Sequence, residues 1–287
     1  MSKQTLHDLW ALTKPRIVYL NVFMTALGLW LAPGETSWVV MVLALLGCAL
    51  AVASANALNM YFERDFDRLM ARTKKRPLPA GRLGASAALV FGAILGLIAI
   101  PLLAWGVNLL TAGLALLALV SYVWIYTPLK RRSPLALLVG AIPGAIPPLL
   151  GWTAVTGSLG TPGVVLFAIL FLWQIPHFLA IAICYRRDYE RAGIQIFPAV
   201  YGEESAKRQA FVYTVGLLVA SLLLVPLKVA GVLYFATAIG LGGWFIWVCL
   251  RGMTPSAGPG WARQLFIVSL IYLPALGVGL IIDKALF

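Results

Sequence analysis

The sequence predicts an all-α, polytopic membrane protein, and three observations support this prediction. Of its 287 residues, 61% are hydrophobic and only 11% are charged, whereas a soluble domain has about a quarter of its residues charged. Apolar runs of about 18 or more residues, each long enough to cross a membrane as a helix, recur from Ile17 nearly to the C-terminus. The runs are continuously apolar and do not alternate, which argues against a transmembrane barrel.

We predict nine transmembrane helices within a single domain that covers residues 1–287. A polar N-terminal arm precedes the first helix, and polar connections separate the others. The predicted spans are residues 17–32, 38–60, 88–105, 109–126, 135–152, 163–184, 209–227, 231–250 and 265–282.

The distribution of basic residues predicts the orientation of these helices. Of the 22 Lys and Arg residues, all but Lys228 and Lys284 fall on one side of the nine spans. Basic residues accumulate on the cytoplasmic side of membrane proteins, so we expect a cytoplasmic N-terminus. This placement also explains the net charge of +12 without a nucleic-acid partner. The expected partner of the apolar surface is the lipid bilayer.

Two of the predicted cytoplasmic connections, residues 61–87 and 185–208, are longer than the others. They contain most of the acidic residues of the chain. Long loops in compact proteins are more often functional than short ones. We therefore expect the chemistry to take place at the cytoplasmic face.

The first of these connections begins with an amide and two carboxylates at helical spacing. If the second span continues as a helix, Asn59, Glu63 and Asp67 share one face and Asp65 lies on the opposite side. Oxygen ligands of this kind suit Mg²⁺, which shares its remaining positions with phosphate. The basic residues that follow suit phosphate oxygens. The spacing alone fits equally well a helix end that is held by salt bridges between neighbouring charges.

The longer pattern resembles the signature of the UbiA superfamily of membrane prenyltransferases. Its elements are Asn59, Glu63, Asp67, Arg72, Thr73, Arg76 and Gly81. The resemblance implies nine helices around a central cavity, a Mg²⁺ cofactor, and catalytic, metal-binding roles for Asn59, Glu63 and Asp67. It further implies that basic residues bind a diphosphate, namely Arg64, Arg72, Lys75 and Arg76. Many members have an Asp directly after the Asn, where this chain has Met60.

The second long connection follows a span that contains a histidine. On one continuous helix, His177, Tyr185 and Asp188 would share a face. An ionisable residue within a span is a functional candidate, although a lone histidine is more often a satisfied core residue.

Segments around these residues are similar to the branch of the superfamily that farnesylates haem b. They are Trp173–Gln174, Pro176–Phe178, Asp188–Tyr189, Ala192–Ile194 and residues 126–134. The resemblance implies transfer of farnesyl from farnesyl diphosphate to a vinyl group of haem b, with addition of water. It adds Lys130 and Arg131 to the diphosphate site, gives His177, Tyr185 and Asp188 to the haem, and makes Asp188 a further metal ligand.

Two alternatives remain open from the sequence. One is a related prenyltransferase with an aromatic, quinone-precursor acceptor; the other, from a different class, is a secondary transporter whose acids bind a coupling ion. Transporter charges tend to lie at interrupted helices of repeated halves near the membrane midplane, and no internal repeat is evident here. The expected location is the inner (plasma) membrane of the cell. An association with haem A synthase or oxidase assembly is a further expectation.

Overall fold

The computed structural model describes residues 3–254, 258 and 260–286, and all the regular secondary structure in these residues is helical. A π-helical turn, Ser121–Tyr126, lies between the fifth and sixth α-helices. In chain order the α-helices are α1 Lys3–Leu12, α2 Pro15–Leu31, α3 Trp38–Asp67, α4 Ala85–Gly106, α5 Leu109–Val120, α6 Thr127–Leu129, α7 Ala136–Thr156, α8 Thr161–Cys184, α9 Arg186–Arg191, α10 Phe197–Tyr201, α11 Glu203–Leu222, α12 Val232–Gly252 and α13 Trp261–Leu286.

The all-α membrane class is confirmed, but the count of nine spans is not. Each predicted span overlaps a helix, yet only seven helical segments in the described residues combine the length and hydropathy of a membrane span. The segment Pro15–Leu31 is apolar but has only 17 residues. The helix Glu203–Leu222 begins with charged residues, which lower its hydropathy.

The helices form two compact units, residues 1–159 with 187–194, and residues 160–186 with 195–287. In the first unit α3 packs along α4, and α2 packs along α7. The α2–α7 contact depends on two glycines, since a Cβ at Gly28 would clash with the carbonyl of Pro148 and a Cβ at Gly151 with that of Thr25. Small residues of this kind let membrane helices approach closely.

The connection between α3 and α4 folds back onto the first unit. Its residues Leu78 and Leu83 are buried against Leu12 of α1 and Ala57 of α3. Arg82 binds the buried carboxylate of Asp8 through its Nε and Nη2 atoms. These contacts fix the connection beside the end of α3.

The second unit contains α8, α10, α11, α12 and α13, with α8 packed against both α11 and α13. Asp283 near the end of α13 accepts hydrogen bonds from the backbone N–H groups of Gly231 and Tyr234. The carboxylate thereby caps the N-terminus of α12, where unpaired N–H groups need an acceptor.

Candidate active site

The end of α3 carries the three residues that the sequence predicts on one face. The helix continues without a break to Asp67, as the spacing argument requires, and the side chain of Asp65 is 61% exposed on the other side. Asn59 and Asp67 are buried. Each of the three residues binds one basic side chain.

Asn59 lies between a cation and a hydroxyl. Its Oδ1 accepts a hydrogen bond of 2.9 Å from Lys14 Nζ, and its Nδ2 donates to Thr127 Oγ1 at 3.1 Å. Lys14 precedes α2 and has a left-handed backbone conformation, with φ 51°. Burial and the positive charge of Arg76 together lower the pKa of Lys14 to about 7.

Glu63 forms an ion pair with Lys130. Lys130 Nζ lies 2.7 Å from Glu63 Oε1 and 4.4 Å from the centre of the Tyr126 ring. Burial alone would lower the pKa of Lys130, but the adjacent carboxylate raises it well above its usual value. Lys130 is therefore a permanent cation at this position.

Asp67 has one oxygen engaged and one without a partner. Its Oδ2 lies 2.7 Å from Arg76 Nη1, whereas its Oδ1 is buried and has no hydrogen-bond partner. Thr73 binds the backbone carbonyl of Asp67 at 2.9 Å, so the turn after α3 holds the carboxylate in place. A buried carboxylate oxygen without a partner is costly unless a ligand uses it.

A cavity of about 260 Å³ opens beside these residues. Arg131 lies over the Phe66 ring at 4.0 Å, which positions a second basic side chain in its wall. Most of the remaining wall is apolar. The cavity is lined by Phe62, Glu63, Phe66, Asp67, Met70, Val123, Trp124, Thr127, Pro128, Lys130, Arg131 and Ile194. It thus combines acidic, basic and apolar groups in one enclosure.

The other predicted diphosphate residues lie elsewhere on the first unit. Arg64 Nη1 donates to the carbonyl of Tyr61 in its own helix at 2.6 Å. Arg72 is exposed and contacts the Tyr189 hydroxyl at 3.3 Å. The Lys75 side chain is exposed. None of the three lines the cavity.

The predicted common face of His177, Tyr185 and Asp188 is wrong. Helix α8 ends at Cys184, and Tyr185, with φ −112° and ψ 23°, interrupts it before α9 begins. Asp188 lies in the first unit, where its carboxylate is 4.0 Å from Arg191 Nη1. Among the described residues, no group of three or more His, Cys, Asp or Glu side chains could hold a metal.

His177 belongs to the second unit, in a neutral, aromatic environment. Its ring stacks on Trp173 at 4.7 Å and on Phe266 at 5.1 Å. Its Nδ1 lies 2.8 Å from Ser269 Oγ, whose single proton is donated to the Phe266 carbonyl at 2.6 Å. Nδ1 is therefore the protonated nitrogen, and Nε2 carries the lone pair.

Three contributors were missed from sequence. Lys14 was interpreted only as a topology signal, and Thr127 and Ser269 were not considered. Their positions in the chain are far from their partners, so no local pattern marks them. The one available signal for Lys14 was its place directly before Pro15, at the start of α2.

The residues present fit a Mg²⁺ ion that takes only a few of its ligands from the protein. Asn59, Glu63 and Asp67 carry oxygen atoms of the kind that Mg²⁺ binds, and the unpartnered Asp67 Oδ1 can accept a cation at no cost to another bond. Mg²⁺ usually takes one or two carboxylates and completes its shell with water and substrate phosphates.

Comparison with known proteins is consistent with this geometry. Residues 21–271 match the UbiA prenyltransferase family. The chain is 48% identical to protoheme IX farnesyltransferase of Myxococcus xanthus, over 96% of this chain and 94% of the relative. It is 53% identical to the protein of the same name from Sorangium cellulosum, over 84% of this chain and 86% of the relative.

Solved structures show the same fold. A structure described for digeranylgeranylglyceryl phosphate synthase matches with a TM-score of 0.84 and 18% identity, over 100% of both chains. A UbiA homologue from Archaeoglobus fulgidus, bound to GPP and Mg²⁺, matches with a TM-score of 0.68 and 16% identity, over 95% of this chain and 99% of that chain. With seven apolar helical segments and this sequence match, the chain is a multi-pass membrane protein that belongs to the UbiA prenyltransferase family.

Proposed function

We propose that this protein is a protohaem IX farnesyltransferase, which transfers the farnesyl group of farnesyl diphosphate to a vinyl group of haem b. The single observation that carries the proposal is the buried cluster at the end of α3. There, an unpartnered carboxylate oxygen, an ion-paired carboxylate and two basic side chains line a largely apolar cavity. The identity of 48% to the Myxococcus xanthus protein along almost the whole chain supports the assignment of the acceptor.

The first task of the site is to bind and stabilise a leaving diphosphate. The allylic C–O bond of farnesyl diphosphate breaks, and its electron pair leaves with the diphosphate. Lys130 and Arg131 line the cavity and can donate hydrogen bonds to the diphosphate. Arg76 does not line the cavity, but it binds Asp67, which does. Preorganised donors of this kind stabilise charge as it develops. We further propose that Arg64, Arg72 and Lys75 act in recruiting the anionic substrate at the protein surface.

A Mg²⁺ ion held by Asn59, Glu63 and Asp67 would add Lewis-acid stabilisation of the diphosphate oxygens. Among the described residues, Asp188 belongs to no group of acidic, histidine or cysteine side chains that could hold a metal. We propose that it contacts Mg²⁺ only when the ion is bound to the diphosphate of the substrate.

The second task is to protect the farnesyl carbocation until the acceptor reacts. Phe62, Phe66, Val123 and Trp124 provide apolar walls that exclude water. The vinyl π electrons of haem b then form the new C–C bond. Water adds to the resulting cation and loses a proton, which gives haem o.

The haem contact that we propose in the second unit is His177 Nε2. The nitrogen is unprotonated, because Nδ1 holds the proton for Ser269, and imidazole in this tautomer suits haem iron. Tyr185 is 43% exposed at the end of α8 and would contact the haem edge. We propose that the site faces the cytoplasm from the inner membrane, and that the product passes to haem A synthase or oxidase assembly.

The test is a reaction of the purified protein with Mg²⁺, farnesyl diphosphate and haem b, with products identified by mass spectrometry. We expect a product that gains farnesyl plus water relative to haem b. Parallel reactions with an aromatic quinone precursor test the rival acceptor. His177→Ala should change the haem optical spectrum while binding of a farnesyl diphosphate analogue stays near normal. Farnesylation of the aromatic compound and not of haem would contradict the proposal.

A further inference from the structure

The hydroxyl of Thr127 contacts the amide of Asn59, and this contact has a consequence for how the amide is oriented. We propose that Thr127 is a positioning residue, which turns the amide so that its oxygen, and not its nitrogen, is presented to a cation. The proposal rests on the proposed function, since it assigns a role to Asn59 as a metal ligand. Thr127 also lines the cavity, and the role proposed for it acts through Asn59.

The first step of the argument is a count of protons at Thr127. Its Oγ1 lies 2.8 Å from the carbonyl oxygen of Tyr122, and a carbonyl can only accept. The single hydroxyl proton is therefore used in that bond. Toward Asn59, at 3.1 Å, Oγ1 can act only as an acceptor. The group of Asn59 that faces it must be the NH₂ group.

The second step comes from the opposite end of the same amide. In its ammonium form Lys14 Nζ can only donate, and it lies 2.9 Å from the other terminal atom of Asn59. That atom must then be the oxygen. Two neighbours with opposite requirements, one in each direction, thus agree on a single orientation of the amide. The acceptor at Thr127 requires this orientation whatever the charge of Lys14, and the Lys14 ammonium agrees with it.

The third step shows that the oxygen faces the charged side of the site. Lys14 Nζ, 2.9 Å from Asn59 Oδ1, is the basic group that this oxygen contacts. The oxygen is therefore the end of the amide that faces a positive charge in the site. A flipped amide would place an NH₂ group there, which repels a metal ion.

The fourth step explains why Thr127 reaches α3 at all. Pro128 has no N–H, and its ring would clash with the carbonyl four residues earlier in a regular helix. The chain widens into the π-helical turn Ser121–Tyr126 directly before it. Both the backbone N–H and the hydroxyl of Thr127 bind the Tyr122 carbonyl, five residues back. The widened turn, of a type often found at functional sites, fixes the hydroxyl against Asn59.

The test measures binding of Mn²⁺, as a paramagnetic substitute for Mg²⁺, by electron paramagnetic resonance in the presence of inorganic diphosphate. Thr127→Val keeps the shape and removes the hydroxyl, and we expect about tenfold weaker Mn²⁺ binding, the order expected for one lost hydrogen bond. Thr127→Ser keeps the hydroxyl and should bind within about twofold of wild type by the same reasoning. If Thr127→Val does not yield folded protein, Thr127→Ala gives the same comparison.

A second background separates orientation from general damage. In Asn59→Asp both terminal atoms are oxygens, so the Thr127 hydroxyl no longer selects between an oxygen and an NH₂ group, and adding Thr127→Val should weaken Mn²⁺ binding by much less than Thr127→Val does alone. Equal binding by wild type and Thr127→Val, or an equal loss in the Asn59→Asp background, would overturn the role of Thr127 while leaving the metal site intact. If wild-type protein binds no Mn²⁺ with diphosphate, the metal site of the proposed function fails, and this inference fails with it.

Discussion

Two buried aspartates, Asp67 in the first unit and Asp283 in the second, differ in whether both of their carboxylate oxygens have hydrogen-bond partners. Asp283 is 1% exposed, and both of its oxygens accept backbone N–H groups at the start of α12. Asp67 is 0% exposed, but only Oδ2 has a partner, Arg76, and Oδ1 has none. Burial alone therefore does not distinguish the two residues.

The difference lies in whether the fold provides a partner for each carboxylate oxygen. At Asp283 the helix N-terminus supplies N–H groups and a favourable dipole, so neither oxygen is without a partner. At Asp67 the donor is the Arg76 side chain, and Oδ1 has no partner. A buried polar atom without a partner requires an explanation, and the cation that we propose to bind together with diphosphate would provide it.

The largest expected effect is a loss of turnover when Asp67 or the nearby Glu63 is replaced. We expect Asp67→Asn and Glu63→Gln each to reduce kcat by about a thousandfold or more, because each removes a carboxylate proposed to hold the Mg²⁺ that stabilises the leaving diphosphate. Thermal stability should change little for Asp67→Asn, since the amide oxygen of the introduced asparagine can still accept from Arg76. The measurement is steady-state turnover together with a thermal-shift assay in detergent.

The matched control for this prediction is Asp65→Asn, whose side chain is 61% exposed on the opposite side of α3. It should retain most of the activity. Equal losses at Asp65, Glu63 and Asp67 would show that net charge at the helix end matters and that the shared face does not.

An intermediate effect, a loss of stability, is expected when Asp283 is replaced. Asp283→Ala removes both capping bonds of α12 and should cost about 1–2 kcal/mol of stability, as for other lost helix caps. Turnover per folded molecule should stay near wild type. Glu35→Ala, at an exposed carboxylate, controls for the loss of an acid. A variant with a wild-type melting temperature and lost turnover would mean that Asp283, like Asp67, serves the reaction.

The smallest effect concerns Asp8 of α1, a third buried carboxylate, which accepts hydrogen bonds from Arg82 and Gln4. Burial raises its pKa, but the hydrogen bonds from Arg82 and Gln4 outweigh burial and hold the pKa below the usual value of 3.8. Its stabilising contribution is therefore present above pH 3.8 and is lost as the pH falls through the lower, folded-state pKa. Asp8→Asn should lower the melting temperature slightly at neutral pH, with the difference from wild type vanishing in acid. A difference that persists unchanged in acid would contradict this account.

The comparison also shows which parts of the site were predictable. The helical face of Asn59, Glu63 and Asp67 was predicted from spacing, since it needs only a helix that continues to residue 67. The prediction that His177, Tyr185 and Asp188 share a face was wrong, because the helix ends at Cys184. The angular positions of side chains around one helix do not continue beyond its end. Local periodicity is reliable within one helix and uninformative beyond its end.

The sequence by itself determined the membrane class, the approximate position of the helices and the acids on α3, because hydropathy and helical periodicity are local properties of the chain. Only the tertiary structure decided which bases meet those acids. Lys14 and Lys130 are 45 and 67 residues from their partners Asn59 and Glu63, and the packing of α2 and α6 against α3 brings them together. The tertiary structure also decided that one oxygen of Asp67 has no partner, whereas both terminal atoms of Asn59 have one. Whether a polar atom finds a hydrogen-bond partner depends on its neighbours in space, which local sequence does not specify.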